Sequence, residues 1–161
     1  MSREVIVRVA DLQIGSSGDV LVTLGLGSCV AIILHDQSRG VGGLAHVMLP
    51  SPSLGRRSDS AGKVPQTAIP AMLQQMTAMG ANPRKVTGRL VGGASLFTAL
   101  TPTGSIQMGE RNVVASREVL NRLAIPLVGE SVGGTAGRSV WFDVTEGKVL
   151  IRSAARIVQS L

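Results

Sequence analysis

The chain has one cysteine, Cys29, which ends a glycine-rich run that begins at Thr23 and reads Thr-Leu-Gly-Leu-Gly-Ser-Cys. A lone thiol forms neither an internal disulfide nor a thiolate metal cage, but it can act as a nucleophile if a base stands beside it. The glycines let the backbone bend and present N–H groups, which can stabilise an oxyanion and depress the pKa of the thiol. The run therefore indicates acyl-transfer chemistry at Cys29. A buried, inert cysteine is the alternative.

The candidate base is His46, in the segment Gly42-Gly-Leu-Ala-His-Val-Met-Leu-Pro50. A tight turn over residues 35–40 precedes this segment, and a hairpin centred near residues 37–38 places Cys29 roughly opposite position 46. The spacing allows a Cys–His contact, although a histidine in an apolar strand can also be a satisfied core residue. His35 falls in the turn, where we expect it to be solvated.

A nucleophile–base pair usually has a third group that orients the imidazole, and a hydroxyl or a backbone carbonyl can do this. Thr23 is a candidate for this role, and its alternative interpretation is an ordinary strand residue. Asp36, in the turn, is a weak competitor. One cysteine and two histidines without ligand spacing do not make a zinc site, and the glycine run leads into a strand and lacks the third glycine of a dinucleotide fingerprint. We therefore expect neither a metal nor another cofactor.

Composition narrows the class of partner. The 161 residues suit a single domain spanning 1–161, and 44% hydrophobic residues suffice for a core. The formal charge of +6 favours a solvated basic face or an acidic protein partner over nucleic acid, because two Phe and one Trp offer almost no stacking platforms. No apolar run approaches the length of a membrane span, so we expect no membrane insertion. A single unpaired cysteine without a visible secretory signal fits a reducing cytoplasm. We also expect a monomer.

Hydrophobic periodicity predicts an α+β fold, with mixed or antiparallel sheets packed against two main helices. The first helix is expected to begin near a Thr67 cap with Pro70 in its first turn and to end at Gly80, while the second covers Glu110–Leu123. The inward faces are expected to hold Ile69, Met72, Leu73, Met76 and Met79 in the first helix, and Val113, Leu120 and Leu123 in the second. Strands are expected at Val5–Val9, Val20–Leu24, Val30–Leu34, Val41–Leu49, Lys85–Val91, Ile125–Val128, Val140–Val144 and Val149–Arg152. The segment Pro50–Gly62 is expected to be a mobile loop that can cover the site.

Several of these motifs together resemble the chemoreceptor glutamine deamidases of bacterial chemotaxis, the CheD family. The resemblance rests on the runs around Cys29 and His46, on Gly92-Gly-Ala94, on Met108-Gly-Glu-Arg-Asn-Val113, and on Gly133-Gly-Thr-Ala-Gly-Arg138. It implies a fold similar to that of the cytotoxic necrotizing factor toxins, which are also Cys–His protein deamidases. It further implies that Cys29 is the nucleophile, His46 the base and Thr23 the third member.

The resemblance also implies a reaction. Family members convert particular glutamine side chains in the cytoplasmic region of methyl-accepting chemoreceptors to glutamate, and some hydrolyse glutamyl methyl esters there. Some bind a CheC-type phosphatase of the response regulator. In the implied mechanism, backbone amides near Gly27, Ser28 and Cys29 bind the substrate by holding the oxyanion that forms on its amide oxygen. A non-catalytic adaptor that binds such a phosphatase or a receptor is the alternative function.

The chain departs from the family pattern at one place. Members often carry Lys-Tyr-x-Asp before the first long helix, whereas this chain reads Lys63-Val-Pro-Gln66 and lacks both the Tyr and the Asp. If those residues shape the site or the receptor contact, substrate preference differs here.

Overall fold

The computed structural model describes residues 3–54, 60–95, 107–153 and 158–161. Within these residues the chain forms ten strands and two α-helices. The strands are β1 (Arg3–Ile6), β2 (Leu12–Ser16), β3 (Asp19–Leu26), β4 (Val30–Asp36), β5 (Val41–Val47), β6 (Thr87–Gly92), β7 (Leu127–Val132), β8 (Arg138–Asp143), β9 (Lys148–Ser153) and β10 (Val158–Ser160). The helices are α1 (Pro65–Ala78) and α2 (Met108–Arg122). Short 3-10 helices cover Pro52–Leu54, Ala61–Lys63 and Pro83–Lys85.

The strands form two five-stranded sheets. The first has the order β1-β3-β8-β9-β10, and the second has the order β2-β5-β4-β6-β7. The pairs β1–β3 and β6–β7 are parallel and the other pairs are antiparallel, so both sheets are mixed. The predicted α+β fold with mixed sheets and two main helices is confirmed.

The second sheet is buried on both faces. Alternate residues of a strand point to opposite faces. In β4, Ile32 belongs to a core cluster with the helices, whereas Ile33 belongs to a second cluster that includes residues of the first sheet, such as Phe142. The protein therefore has three layers, a sheet on a sheet on helices. The predicted strand at Val30–Leu34 is confirmed as part of β4, and all of its residues are buried.

Gly42 permits close packing between the sheets. A Cβ added at this position would lie 2.7 Å from the Phe142 ring, which is closer than real side-chain contacts allow. Glycines within a strand, such as Gly42 and Gly43, mark either a bulge or a close backbone contact. The pairing of β4 with β5 runs without a register shift, so the glycines serve close contact.

The predicted turn at residues 35–40 is too long, because β4 continues through His35 and Asp36. His35 is 3% exposed, and its Nε2 lies 2.9 Å from the Val144 carbonyl oxygen. The expectation that His35 is solvated is wrong. A hydrogen bond to a backbone acceptor and an edge contact with Phe142 satisfy the ring, so a polar side chain fits inside the fold.

Strand prediction also missed β2 and β10. The segment Leu12–Ser16 pairs with β5, whereas β10 is a three-residue edge strand beside β9. The first strand ends at Ile6 rather than at Val9. The predicted strands Val140–Val144 and Val149–Arg152 correspond to β8 and β9, which pair as a hairpin.

Both helices differ from their predicted bounds. Helix α1 begins at Pro65 and contains Pro70 beyond its first turn, so Thr67 is not the cap; its hydroxyl donates to the Ala61 carbonyl instead. Met79 and Leu123 each follow the last residue of a helix and are 48% and 39% exposed. Their predicted inward positions are wrong, because each helix ends one residue earlier and its buried face does not continue to these side chains.

The segment Pro50–Gly62 is described in part, since residues 55–59 lie outside the described residues. The prediction that this segment moves and covers the site therefore stays a prediction. No helix in the described ranges combines the length and the apolar character that crossing a bilayer requires.

Candidate active site

Thr23 and His46 meet between the two sheets. Thr23 lies on β3 of the first sheet and His46 on β5 of the second, and both side chains are buried. The Thr23 Oγ1 atom is 2.7 Å from His46 Nδ1. The main chain of His46 is held as well, because its N–H donates to the Asp11 carbonyl and its carbonyl accepts from the Ala10 N–H.

The hydroxyl of Thr23 fixes the tautomer of His46. Thr23 Oγ1 also lies 2.7 Å from the Val7 carbonyl oxygen, which can only accept a hydrogen bond. A hydroxyl has a single hydrogen, so Thr23 donates it to Val7 and accepts from His46 Nδ1–H. In the neutral imidazole this leaves Nε2 as an acceptor. That atom is buried and has no hydrogen-bond partner among the described residues.

Cys29 packs on the same face of the second sheet as His46. The register pairs Ala31 with His46, so the hairpin is offset by two residues from the prediction that Cys29 faces position 46. Cys29 is two residues before Ala31 and packs against the cluster between the sheets, which contains Ala31. This makes Cys29 a diagonal neighbour of His46, a relation in which Cα atoms are about 7–8 Å apart and longer side chains can meet. The thiol is not hydrogen-bonded to Nε2 in this structure.

The thiol of Cys29 is half-buried, and that sets its acidity. Burial raises the pKa of the Cys29 thiol, and a hydrogen bond from its own backbone N–H opposes the change in part. The expected depression of this pKa is wrong, because desolvation of a thiolate outweighs the single amide contact. For the same reason burial lowers the pKa of His46, so both groups rest in their neutral forms at pH 7.

The backbone around Cys29 is fixed by a glycine turn that follows β6. Gly93 N–H donates to the Cys29 carbonyl, and Ala94 N–H donates to the Gly27 carbonyl. Gly92 has a φ of +114°, and a Cβ at this position would lie 2.4 Å from the Cys29 carbonyl oxygen, so no residue other than glycine fits here.

Gly27 and Ser28 form the bend between β3 and β4, directly before the thiol. No acceptor within the described residues takes the N–H of either one. Both residues are partly exposed. Among the described residues these two amides beside Cys29 therefore have no acceptor, and free backbone donors are what an oxyanion requires.

Asn112 is a residue at the site that sequence reasoning missed. It lies on α2 with no exposed surface, and its Nδ2 donates to the carbonyls of Ser28, at 2.8 Å, and Met48, at 3.3 Å. One side chain thus ties the residue before Cys29 to the segment that follows His46. A clue was present, since a polar residue on the inward face of an otherwise apolar helix stripe usually has a buried partner.

The run Lys63-Val-Pro-Gln66, where the chain departs from the family pattern, lies beside the segment that follows His46. The Lys63 carbonyl accepts from the N–H groups of Met48 and Leu49, and Gln66 Nε2 donates to the Pro50 carbonyl. Gln66 therefore hydrogen-bonds to the segment that follows His46 and does not take part in the contact between Thr23 and His46. No group of three His, Cys, Asp or Glu side chains in the described ranges is arranged to hold a metal ion.

The chain matches a known protein family over about two thirds of its length. The family described as CheD chemotactic sensory transduction matches residues 48–153, which is more than half of the chain. The chain belongs to the CheD family. The matched segment includes Asn112 and the turn Gly92–Gly93, whereas Thr23, Cys29 and His46 precede it.

CheD relatives extend the match over nearly the whole chain. A protein of Desulforamulus reducens named "probable chemoreceptor glutamine deamidase CheD" is 37% identical over 93% of this chain and 90% of its own length. Proteins with the same name are 38% identical in Caldanaerobacter subterraneus, over 91% of each chain, and 37% identical in Clostridium botulinum, over 94% of this chain and 93% of the relative. These alignments are long enough to include the N-terminal third that the family match omits.

Among solved structures, Neisseria meningitidis protein NMB0706 aligns with 83% of this chain and 63% of its own, with a TM-score of 0.46 and 11% identity. The likeness to the cytotoxic necrotizing factor toxins stays a prediction.

Proposed function

We propose that this CheD-family chain is a protein-glutamine deamidase that converts glutamine side chains of chemoreceptors to glutamate. The observation that carries the proposal is the contact between Thr23 Oγ1 and His46 Nδ1, which leaves Nε2 as a free base on the sheet face where Cys29 packs. The names of the CheD relatives support the substrate class.

The reaction begins with proton transfer from Cys29 to His46 Nε2 as Sγ attacks the carbonyl carbon of the substrate amide. Both groups rest neutral, so the thiolate forms during the attack rather than before it. Small side-chain movements must bring Sγ and Nε2 into hydrogen-bond reach, and a resting site is often looser than the reacting one. The positive charge that develops on the ring is stabilised by the Thr23 hydroxyl through Nδ1–H.

The tetrahedral intermediate carries its negative charge on the former amide oxygen. In the proposed mechanism the N–H groups of Gly27 and Ser28 donate hydrogen bonds to that oxygen, and backbone donors of this type typically contribute a few kcal/mol to catalysis. His46 then gives its proton to the departing ammonia, and a thioester on Cys29 remains. Water activated by His46 Nε2 attacks the thioester, which releases glutamate and restores the thiol.

The same chemistry hydrolyses a glutamyl methyl ester, with methanol as the leaving group in place of ammonia. The reaction needs no cofactor. The proposed partner is the cytoplasmic region of a methyl-accepting chemoreceptor, which places the protein in the cytoplasm. A CheC-type phosphatase is a further proposed partner, and the protein is proposed to act as a monomer.

Mass spectrometry of purified receptor cytoplasmic fragments tests this function. Each glutamine converted to glutamate gains about 1 Da, so peptide mapping before and after incubation locates the reaction. The expected result is conversion at a few defined glutamines by the wild-type protein. A wild-type protein that leaves every receptor glutamine unchanged would overturn the proposal.

Substitution of Cys29 separates the enzyme from the adaptor. Cys29→Ala removes the sulfur with little change in volume, so the fold should persist while conversion stops. Cys29→Ser should be nearly as inactive, because a hydroxyl is far harder to ionise than a thiol. An adaptor would keep its biological role in the Cys29→Ala strain, whereas a deamidase would lose it.

A further inference from the structure

Arg138 reaches across the two sheets to the turn that holds Cys29. It is the first residue of β8, in the first sheet, and its guanidinium binds the second sheet. Nη1 donates to the Gly92 carbonyl at 2.8 Å, and Nη2 donates to the Gly133 carbonyl at 2.7 Å. Gly92 ends β6 and Gly133 directly follows β7, so one side chain joins three strands at the end of the fold where the thiol lies.

The guanidinium of Arg138 is partly buried and has no carboxylate partner among the described residues. The ion pairs there are Arg3–Asp19 and Arg117–Glu130, whereas both bonds from Arg138 go to backbone carbonyls. Burial lowers the pKa of Arg138, yet a guanidinium keeps its charge in proteins. Its two hydrogen bonds are charge-assisted and therefore stronger than those of a neutral donor. They hold the turn at residues 92–94 more firmly than a neutral side chain would.

The 92–94 turn passes this constraint to the backbone of Cys29. The Gly92 carbonyl that Arg138 holds belongs to the same peptide group as the Gly93 N–H, which donates to the Cys29 carbonyl at 2.8 Å. A guanidinium on one side of this peptide group strengthens the bond on its other side, because hydrogen bonds in a chain polarise one another. The guanidinium and the Cys29 carbonyl are thus separated by a single peptide group.

The next N–H of the turn sets the direction of a candidate oxyanion donor. Ala94 N–H donates to the Gly27 carbonyl at 2.8 Å. That carbonyl and the Ser28 N–H belong to one planar trans peptide group, in which they point in opposite directions. Because the turn holds the carbonyl, it also fixes the direction of the Ser28 N–H, which has no acceptor within the described ranges.

We propose that Arg138 is a positioning residue for deamidation, which holds the 92–94 turn and through it directs the Ser28 N–H at the oxygen of the substrate amide. The inference rests on the proposed function, because that oxygen belongs to the glutamine side chain. It also gives a role to the run Gly133-Gly-Thr-Ala-Gly-Arg138, in which the first residue supplies a carbonyl and the last the guanidinium. A donor that acts on charge developing in the transition state affects kcat and leaves KM nearly unchanged.

Arg138→Met tests this role through the split between kcat and KM. Methionine keeps an unbranched stem and donates no hydrogen bond, while the Gly92 carbonyl still accepts from the Gly133 N–H at 2.9 Å, so the fold should persist. With a receptor cytoplasmic fragment as substrate, we expect kcat to fall about 10- to 100-fold, somewhat less than on outright removal of an oxyanion donor. KM should change little. Arg138→Lys keeps the charge without the planar fork and should lie between the two proteins, which also provides a test if Arg138→Met does not fold.

Arg89→Met is the matched control. Arg89 is also a partly buried arginine, and its Nη1 donates to a backbone carbonyl, that of Gly147, at 3.1 Å. It lies on β6 three residues before Gly92, about 10 Å along the strand, and its bond goes to the turn between β8 and β9. Arg89→Met should leave kcat nearly unchanged even where it lowers the unfolding midpoint. Unchanged kcat in Arg138→Met, a loss confined to KM, or equal losses in both variants would overturn the proposal.

Hydrogen exchange needs no substrate, so it separates failure of this inference from failure of the proposed function. The N–H groups of Gly93 and Ala94 hold the bend, and their protection reports the turn directly. In Arg138→Met we expect both to exchange at least about tenfold faster relative to the amides in the middle of β4, and in Arg89→Met we expect no change. Faster exchange supports control of the bend by Arg138 even if the wild-type protein converts no glutamine. Unchanged exchange at both amides rejects it even if deamidation is efficient.

Discussion

The hydroxyl of Thr23, on one sheet, accepts a hydrogen bond from His46 Nδ1, on the other, across 2.7 Å. Because this hydroxyl donates its own hydrogen to the Val7 carbonyl, the direction of both bonds is fixed. A threonine therefore does here what a carboxylate does in other nucleophile–base pairs, but without a negative charge. The resulting base has Nε2 available and is neutral at pH 7.

Thr23→Val tests this relationship directly. Valine keeps the shape of threonine and removes the hydroxyl, so His46 loses its orienting contact and the Val7 carbonyl loses a donor. We expect kcat for receptor deamidation to fall about 10- to 100-fold, and the free energy of unfolding to fall by about 1–3 kcal/mol from the unpaired buried groups. Quenched mass-spectrometric time courses and urea unfolding measure the two effects.

Thr23→Ser is the control, because serine keeps the hydroxyl. It should retain most of the activity and should show the same pH dependence as the wild-type protein. Full activity in Thr23→Val, in a protein whose stability has fallen, would mean that Thr23 supports the fold and does not position the base.

Alkylation by iodoacetamide reports the state of the Cys29 thiol. Because burial raises the pKa of this thiol, the alkylation rate should rise about tenfold per pH unit through neutral and mildly alkaline pH. Since Sγ and Nε2 are not hydrogen-bonded at rest, His46→Gln should leave this profile unchanged. A plateau near neutral pH that disappears in His46→Gln would show a preformed thiolate–imidazolium pair instead.

Asn112→Asp tests the bridge between the two reacting segments. The change replaces Nδ2, which donates to the Ser28 and Met48 carbonyls, with an acceptor that can make neither bond unless it is protonated. We expect at least a tenfold loss of kcat and a lower unfolding midpoint. Asn121→Asp, at an exposed position of the same helix, is the matched control and should leave both unchanged. Equal effects of the two substitutions would assign the loss to helix charge rather than to the bridge.

The α+β class could be predicted from the sequence because periodicity is local, and the fully buried β4 shows it clearly as a continuous apolar run. Contacts across the sheets are different, since they depend on register and on partners far along the chain. His35 is adjacent to a turn in sequence yet bonds to Val144, and Asn112 reaches Ser28 from a distant helix. The hairpin register differs from the predicted one by two residues, so Ala31 rather than Cys29 pairs with His46. The positions of the glycines do not give the length of the turn to that accuracy.

The two buried histidines make the protein sensitive to acid. Burial lowers the pKa of both His35 and His46, and for His35 the carbonyl of Val144 opposes the change only in part. The unfolded chain binds protons below about pH 6.5 while the folded chain does not. The contribution of the two neutral histidines to the free energy of unfolding is therefore complete above that pH. As the pH falls below it, each histidine lowers the free energy of unfolding by up to about 1.4 kcal/mol per pH unit until its folded pKa is reached.

Urea unfolding at pH 7.5 and pH 5.5 measures this loss, and we expect a lower midpoint at pH 5.5. His35→Gln should reduce the difference between the two pH values, whatever its effect on absolute stability. An identical difference in the variant would mean that His35 already carries a proton in the folded protein.

Salt tests how the protein meets its substrate. The chain has a formal charge of +6, which favours an acidic protein surface as its substrate. Long-range attraction raises the encounter rate, and ions screen it over about 10 Å at 0.1 M. Deamidation at sub-saturating receptor should therefore slow as ionic strength rises through the physiological range, while kcat at saturation changes little.

Free glutamine should react very slowly at any salt concentration, because a single amino acid lacks the surface that orients the amide. Rapid, salt-insensitive hydrolysis of free glutamine would contradict this view and would indicate a small-molecule amidase.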